Sequence, residues 1–156
     1  MRLMVQRVAR ASVRVDNVVT GEIGAGLLVL VGLGQGDSAA LFPDALDKLT
    51  NLRIFPDDAG NMNRSLLDIQ GGLLLVSQFT LYADTRKGRR PSFIDAMPPG
   101  EASPLFDAML QHARAQYTAG PVAAGIFGAM MAVELVNDGP VTLWLDSAEL
   151  GWPRKR

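Results

Sequence analysis

The chain has 156 residues, 48% hydrophobic and 20% charged, with 15 basic against 16 acidic side chains. That describes one ordinary domain, residues 1–156, with its own core, and it excludes a disordered chain. The lack of cysteine and the single histidine, His112, exclude disulfides, thiolate chemistry and multi-histidine metal sites.

Gln6 and Arg7 interrupt any apolar leader near the N-terminus. The longest strongly apolar runs, Leu27 to Leu33 and Leu73 to Val76, fall far short of the ~20 residues a membrane span needs. The expectation is a soluble cytoplasmic protein with no membrane partner.

From Leu3 to Val15 the odd positions are Leu3, Val5, Arg7, Ala9, Ala11, Val13 and Val15. Period two predicts a long strand with one buried face. Asp16-Asn17 is turn chemistry, and Val18 to Ile23 is the return strand. Leu27 to Leu33 is apolar throughout, which suits a strand covered on both faces. Ser38 is a candidate helix cap, and Leu46, Leu49 and Leu52 follow at helical spacing, with Pro43 in the first turn. Arg53 to Phe55 reads as a short strand before the turn-rich Pro56 to Asn61.

Gly71-Gly72 introduces a second buried strand over Leu73 to Ala83, which turns polar at Ser77, Gln78 and Thr80. Ser103-Pro104 opens the clearest helix, with an apolar stripe of Leu105, Phe106, Met109, Leu110, Ala113 and Tyr117, and Gly120-Pro121 stops it. Two strands close the chain, Met131 to Val136 and Val141 to Asp146, joined by a tight turn at Asn137-Asp138-Gly139-Pro140. The pattern predicts a single compact α/β domain with about seven strands, mostly apolar β-sheet layers and two main helices packed on the sheet.

Four features resist a purely structural account. Arg7 shares the phase of Leu3 and Val5. A guanidinium on a buried face must be paired or hydrogen-bonded, so Arg7 is either rotated outward by a bulge, held in a structural ion pair, or a clamp on carbonyl oxygens or an anion. Ser77-Gln78-Phe79-Thr80 puts hydrogen-bonding side chains at the carboxyl end of a buried strand, where α/β sheets gather ligands. It is also what an ordinary strand end looks like as it reaches solvent. Gly139-Pro140 is a hairpin turn or a fixed carbonyl pair. Arg86, Lys87, Arg89 and Arg90 put four of the 15 cations within five residues, and Arg154-Lys155-Arg156 adds three. Such clustering is either a solvated loop and tail or a phosphate-contacting patch, and its density on a near-neutral protein favours the second.

Other candidates are weak. Asp57 to Asn61 lacks the ligand spacing of a calcium loop. Gly32-Leu33-Gly34-Gln35-Gly36 fits neither the P-loop nor the dinucleotide fingerprint. No cofactor and no metal are implied.

Ser77-Gln78-Phe79-Thr80, taken with Asn137-Asp138-Gly139-Pro140-Val141-Thr142, resembles the signature pair of the D-aminoacyl-tRNA deacylases. Met1 to Val15, Asn51 to Phe55, Lys87 to Phe93 and Gly125 to Ala129 support the resemblance, which runs through essentially the whole chain. It implies the family's α/β/β layered fold and a homodimer with an active site at each end of the subunit interface. It further implies a pocket lined by Ser77, Gln78, Phe79 and Thr80, with Gly139 and Pro140 reaching in from the partner through a cis bond. The Gly-Pro carbonyls would leave no room for an L-side chain, and Arg7 would hold them. Phe127, Met131 and Ala102 match further pocket positions. The family often carries aspartate where this chain has Met130.

The implied reaction is hydrolysis of the ester of D-aminoacyl-tRNA, with glycyl-tRNA mischarged on tRNA-Ala as a further substrate. Neither Thr80 nor Ser77 has a histidine base in its sequence neighbourhood. That favours a route in which the vicinal 2′-hydroxyl of the terminal ribose assists, while N–H groups near Phe79 and Thr80 stabilise the oxyanion. The loop Arg86 to Arg90 would contact tRNA phosphates. Competing readings are a deacylase of relaxed chirality acting on L-alanyl-tRNA, a nucleic-acid-binding module without catalysis, and a structural dimerisation domain.

Overall fold

The computed structural model describes residues 1–154. Lys155 and Arg156 of the basic tail lie outside the described residues. Strand β1 (Arg2–Val15) is the spine of a six-stranded sheet. One edge of β1 pairs antiparallel with β2 (Val18–Ile23) and β3 (Gly26–Gly32), and the other pairs with the last strand of the chain. Asp16 and Asn17 both take positive φ, 49° and 64°, as the tight hairpin between β1 and β2 requires.

After β3 come α1 (Phe42–Asn51), a small ribbon of β4 (Phe55–Pro56) and β5 (Met62–Arg64), and the short α2 (Leu66–Ile69). Strand β6 (Gly72–Ser77) then pairs parallel to β3. Helix α3 (Pro99–Gln116), β7 (Val122–Ala124) and β8 (Ala132–Asp146) complete the chain. Pro43 sits in the first turn of α1, where its missing N–H costs nothing. Among the described residues no helix is long and apolar enough to cross a membrane.

The sheet is buried on both faces. Leu3, Val5, Leu27, Val29, Val31, Leu73 and Leu75 face α1 and α3, whose Leu46, Leu49, Phe106 and Met109 pack onto them. Val8, Ala11, Val13, Leu28, Leu74 and Val76 form a second cluster, capped by Met131, Val133 and Leu135. The result is a helix layer on one face of the sheet and a second apolar cluster on the other. Each fully buried leucine or valine contributes about 1.5–3 kcal/mol.

Three sequence expectations are corrected. The alternation expected over Leu3 to Val15 holds in two halves that are out of phase. The register of β1 against β8 slips between Val8 and Arg10, so Ala11 and Val13 join Val8 on the face opposite Leu3 and Val5, and Ala9 is exposed. Second, α3 begins at Pro99, not at Ser103-Pro104. Pro99 suits the first turn, and Glu101 and Ala102 donate back to the Pro98 carbonyl. Pro104 forfeits only the bond that would go to the carbonyl of exposed Gly100. Third, no hairpin divides Met131 to Val136 from Val141 to Asp146. They are one continuous strand, because β1 runs past the junction and pairs with both halves.

Candidate active site

Strand β6 stops at Ser77, short of the Ala83 that its composition predicts. The Gln78 N–H makes a last bond to the Val31 carbonyl at 2.8 Å, and the chain then winds into a 3-10 turn over Phe79–Tyr82. Leu81 and Ala83 donate back to the carbonyls of Gln78 and Thr80. Phe79 and Thr80 therefore belong to a turn and not to the strand.

The turn rests where β3 has no side chains. A Cβ on Gly32 would lie 2.9 Å from Leu81 Cβ, and one on Gly34 would lie 2.4 Å from the Tyr82 ring. The glycine-rich segment that matched no nucleotide motif thus makes the seat of this turn.

Ser77 and Gln78 are half-buried, whereas Phe79 and Thr80 are exposed. The Phe79 ring is 57% exposed and meets Phe93 edge to face at 5.0 Å. The Gln78 amide donates to the Thr80 hydroxyl. The N–H groups of Phe79 and Thr80 begin the 3-10 turn, whose own ladder offers them no acceptor.

The second signature segment is a bulge in β8. Gln6 pairs with Thr142 and Val8 with Asn137. Arg7 alone therefore faces Asp138, Gly139, Pro140 and Val141. The Gly139–Pro140 peptide is cis, and both residues are exposed. Arg7 is 8% exposed. Its Nε donates to the Asp138 carbonyl at 2.8 Å and lies 3.4 Å from the Asp138 carboxylate, while Nη1 donates to the Ile54 carbonyl. The bulge is also stapled from within. The Asn137 side chain accepts from Val141 N–H at 2.8 Å and donates to the Thr142 hydroxyl at 2.9 Å.

Within one chain the two segments stand apart. Ser77 lies opposite Val31, Val31 opposite Leu3 and Leu3 opposite Leu145, so three strand spacings separate β6 from β8. The bulge lies a further four residues along β1. The separation is on the order of 20 Å.

Ala102 is buried on α3 in the helix-side core. Phe127 packs against that core, 6.1 Å from Phe106 between ring centroids. Met131 packs against the cluster on the opposite face of the sheet. Met130 is 92% exposed. His112 is half-buried and faces the Phe42 ring.

The basic loop is a small hairpin closed by reciprocal bonds between Asp84 and Ser92. Arg86 forks onto the Asp84 carboxylate at 2.9 and 2.7 Å, which holds that carboxyl well below its ordinary range. Lys87, Arg89 and Arg90 are exposed and make no ion pair among the described residues. Among those residues, no cluster of three or more histidine, aspartate or glutamate side chains is placed to hold a metal.

The staple made by the Asn137 side chain, and Arg2, which holds the Leu81 carbonyl, were not expected from the sequence. Asn137 carried a turn signal of its own. Arg2 carried none, because its partners lie 79 and 144 residues away.

The model of the family described as D-Tyr-tRNA(Tyr) deacylase matches residues 4–146. A D-aminoacyl-tRNA deacylase of Thermomicrobium roseum is 59% identical over 150 residues, covering 96% of each chain. Another from Roseiflexus castenholzii is 58% identical over 156 residues, covering 100% of this chain and 98% of that one. A solved structure described as c-Myc DNA Unwinding Element Binding Protein superposes with a TM-score of 0.88 at 40% identity, over 94% of this chain and 99% of that one. A probable eukaryotic D-amino acid tRNA deacylase, at 22% identity and a TM-score of 0.76 over 92% and 97% of the two chains, shares the fold. With a family model matched over nearly its whole length and full-length relatives at this identity, the chain belongs to the D-aminoacyl-tRNA deacylase family.

Proposed function

We propose that this protein is an ester hydrolase that removes D-amino acids from tRNA. Water adds its oxygen to the ester carbonyl, the bond to the terminal ribose breaks, the ribose oxygen takes a proton, and a free D-amino acid leaves. The pocket is shared: the Ser77 to Thr80 turn of one subunit meets Gly139-Pro140 of a second copy. The observation that carries this reading is the clamp of buried Arg7 on the Asp138 carbonyl beside an exposed Gly139-Pro140, on the order of 20 Å from the turn in the same chain. A rigid, outward-facing main-chain segment that cannot serve its own chain's turn is suited to complete a neighbour's. Its carbonyls lie where an L-side chain would project, so L-esters are refused by exclusion.

The chemistry needs little from the side chains. The Thr80 hydroxyl is bonded to an amide, not to a base. The vicinal 2′-hydroxyl of the substrate's terminal ribose assists or orients the water, and the N–H groups of Phe79 and Thr80 stabilise the oxyanion. Lys87, Arg89 and Arg90 hold phosphates without reading sequence, which suits an enzyme that serves many tRNAs. Glycyl-tRNA, having no side chain to exclude, is a further substrate. A purified sample should release free D-amino acid from D-aminoacyl-tRNA and sediment at twice the chain mass. A monomer with full activity would refute the shared pocket.

One observation favours a second reading, a nucleic-acid-binding module without turnover. The basic hairpin coincides with a structural neighbour described as a DNA unwinding element binding protein. That reading predicts binding with no ester cleavage, and it leaves the Arg7 clamp unused.

A further inference from the structure

The Leu81 carbonyl of the Gln78 to Tyr82 turn is held from outside by Arg2. Arg2 lies on the opposite sheet face from Arg7, directly between Asp146 on β8 and Gly32 on β3 in the register of the sheet. Its Nε donates to the Asp146 carboxylate at 3.0 Å, and its Nη1 donates to the Leu81 carbonyl at 3.0 Å. The same guanidinium stacks over the Tyr82 ring at 4.4 Å and lies 5.8 Å from the Trp144 ring. Asp146 fixes the cation, the cation holds the turn's carbonyl, and the missing side chain of Gly32 lets Leu81 and Tyr82 settle beside it.

We infer that Arg2 is a positioning residue for the reaction, acting through Leu81 to fix the Phe79 and Thr80 N–H groups at the oxyanion. This rests on the deacylase reading above. The fork needs a planar cation that spans two acceptors at once, which a lysine ammonium does not reproduce. Arg2 contacts neither the pocket side chains of the turn nor the basic hairpin, so its loss falls on the rate and spares affinity.

The test compares wild type, Arg2→Lys, Asp146→Asn and the double variant as purified full-length proteins. Single-turnover deacylation of D-tyrosyl-tRNA is read against enzyme concentration, and hydrogen exchange is followed over residues 78–83. Arg2→Lys should lower the saturating rate by about 10- to 100-fold, the scale of a misplaced reacting group. The enzyme concentration giving half-maximal rate should stay within about twofold, and exchange over 78–83 should quicken. Asp146→Asn should move the same readouts less, and the double variant should be no worse than Arg2→Lys alone. An unchanged saturating rate in a folded Arg2→Lys protein, or a loss confined to affinity, would overturn the positioning role. Unchanged exchange over 78–83 would overturn the seating itself, whatever the activity. A wild type without turnover would overturn the deacylase reading instead.

Discussion

Arg7 Nε reaches the main-chain carbonyl of Asp138 at 2.8 Å across 131 residues of chain, from the buried face of β1 to the bulge of β8. The same guanidinium donates to the Ile54 carbonyl. Arg7→Met removes both donors and orphans two carbonyls, at a cost of about 1–3 kcal/mol. The larger effect is on selectivity, because the bulge that carries Gly139 and Pro140 loses its clamp. The ratio of D- to L-ester cleavage should fall about tenfold or more. Single-turnover rates on matched esters measure it, and an unchanged ratio in the folded variant would show that Arg7 only stabilises the fold.

Thr80→Ala should keep its activity within about tenfold, since the hydroxyl is bonded to the Gln78 amide and touches no base. A loss of three orders of magnitude or more in single-turnover rate, with tRNA affinity intact, would make Thr80 the nucleophile.

The basic hairpin predicts a salt signature. Arg89→Glu with Arg90→Glu should weaken tRNA binding and flatten the dependence of log affinity on log salt by about two phosphate contacts. Asp84→Asn should do the opposite, by releasing Arg86 for a further contact. The Asp84 carboxyl is held below its ordinary value of 3.8 by the Arg86 fork. Its ordering effect is thus complete above that pH and is lost only as the pH falls further, through the depressed value. Affinity measured between pH 5 and pH 9 should owe no pH dependence to this pair.

Gly34→Ala places a methyl 2.4 Å from the Tyr82 ring and should cost about 1–3 kcal/mol in urea unfolding. Gly100→Ala, in α3 with open space around it, should be neutral or stabilising. Equal effects of the two would contradict the seat assigned to the Phe79–Tyr82 turn.

The sheet was legible where one physical rule acted alone. Leu27 to Leu33 and Leu73 to Val76 are apolar without alternation, and they are the central strands buried on both faces. Both main helices were visible from their apolar spacing. The errors fall where tertiary pairing overrode local chemistry. Asn137 to Pro140 has the composition of a turn, yet β1 pairs on both sides of it and keeps the strand continuous. Ser77 to Ala83 has the composition of a strand end, yet Gly32 at the end of β3 and Gly34 just beyond it let it wind into a 3-10 turn. Arg7 stood out in sequence because it broke a buried pattern. Arg2 did not, because a cation on the outer face of a strand breaks no pattern. Asn137 passed as turn chemistry, when its side chain in fact holds a bulge together.

The central claim is chiral ester cleavage. Its most direct test is hydrolysis of D-tyrosyl-tRNA and L-tyrosyl-tRNA, matched in tRNA and concentration, by the purified wild-type protein. Rapid loss of the D-ester with the L-ester spared is the predicted result. Cleavage of both at similar rates would contradict exclusion by Gly139-Pro140, and tRNA binding with neither ester cleaved would contradict the enzyme.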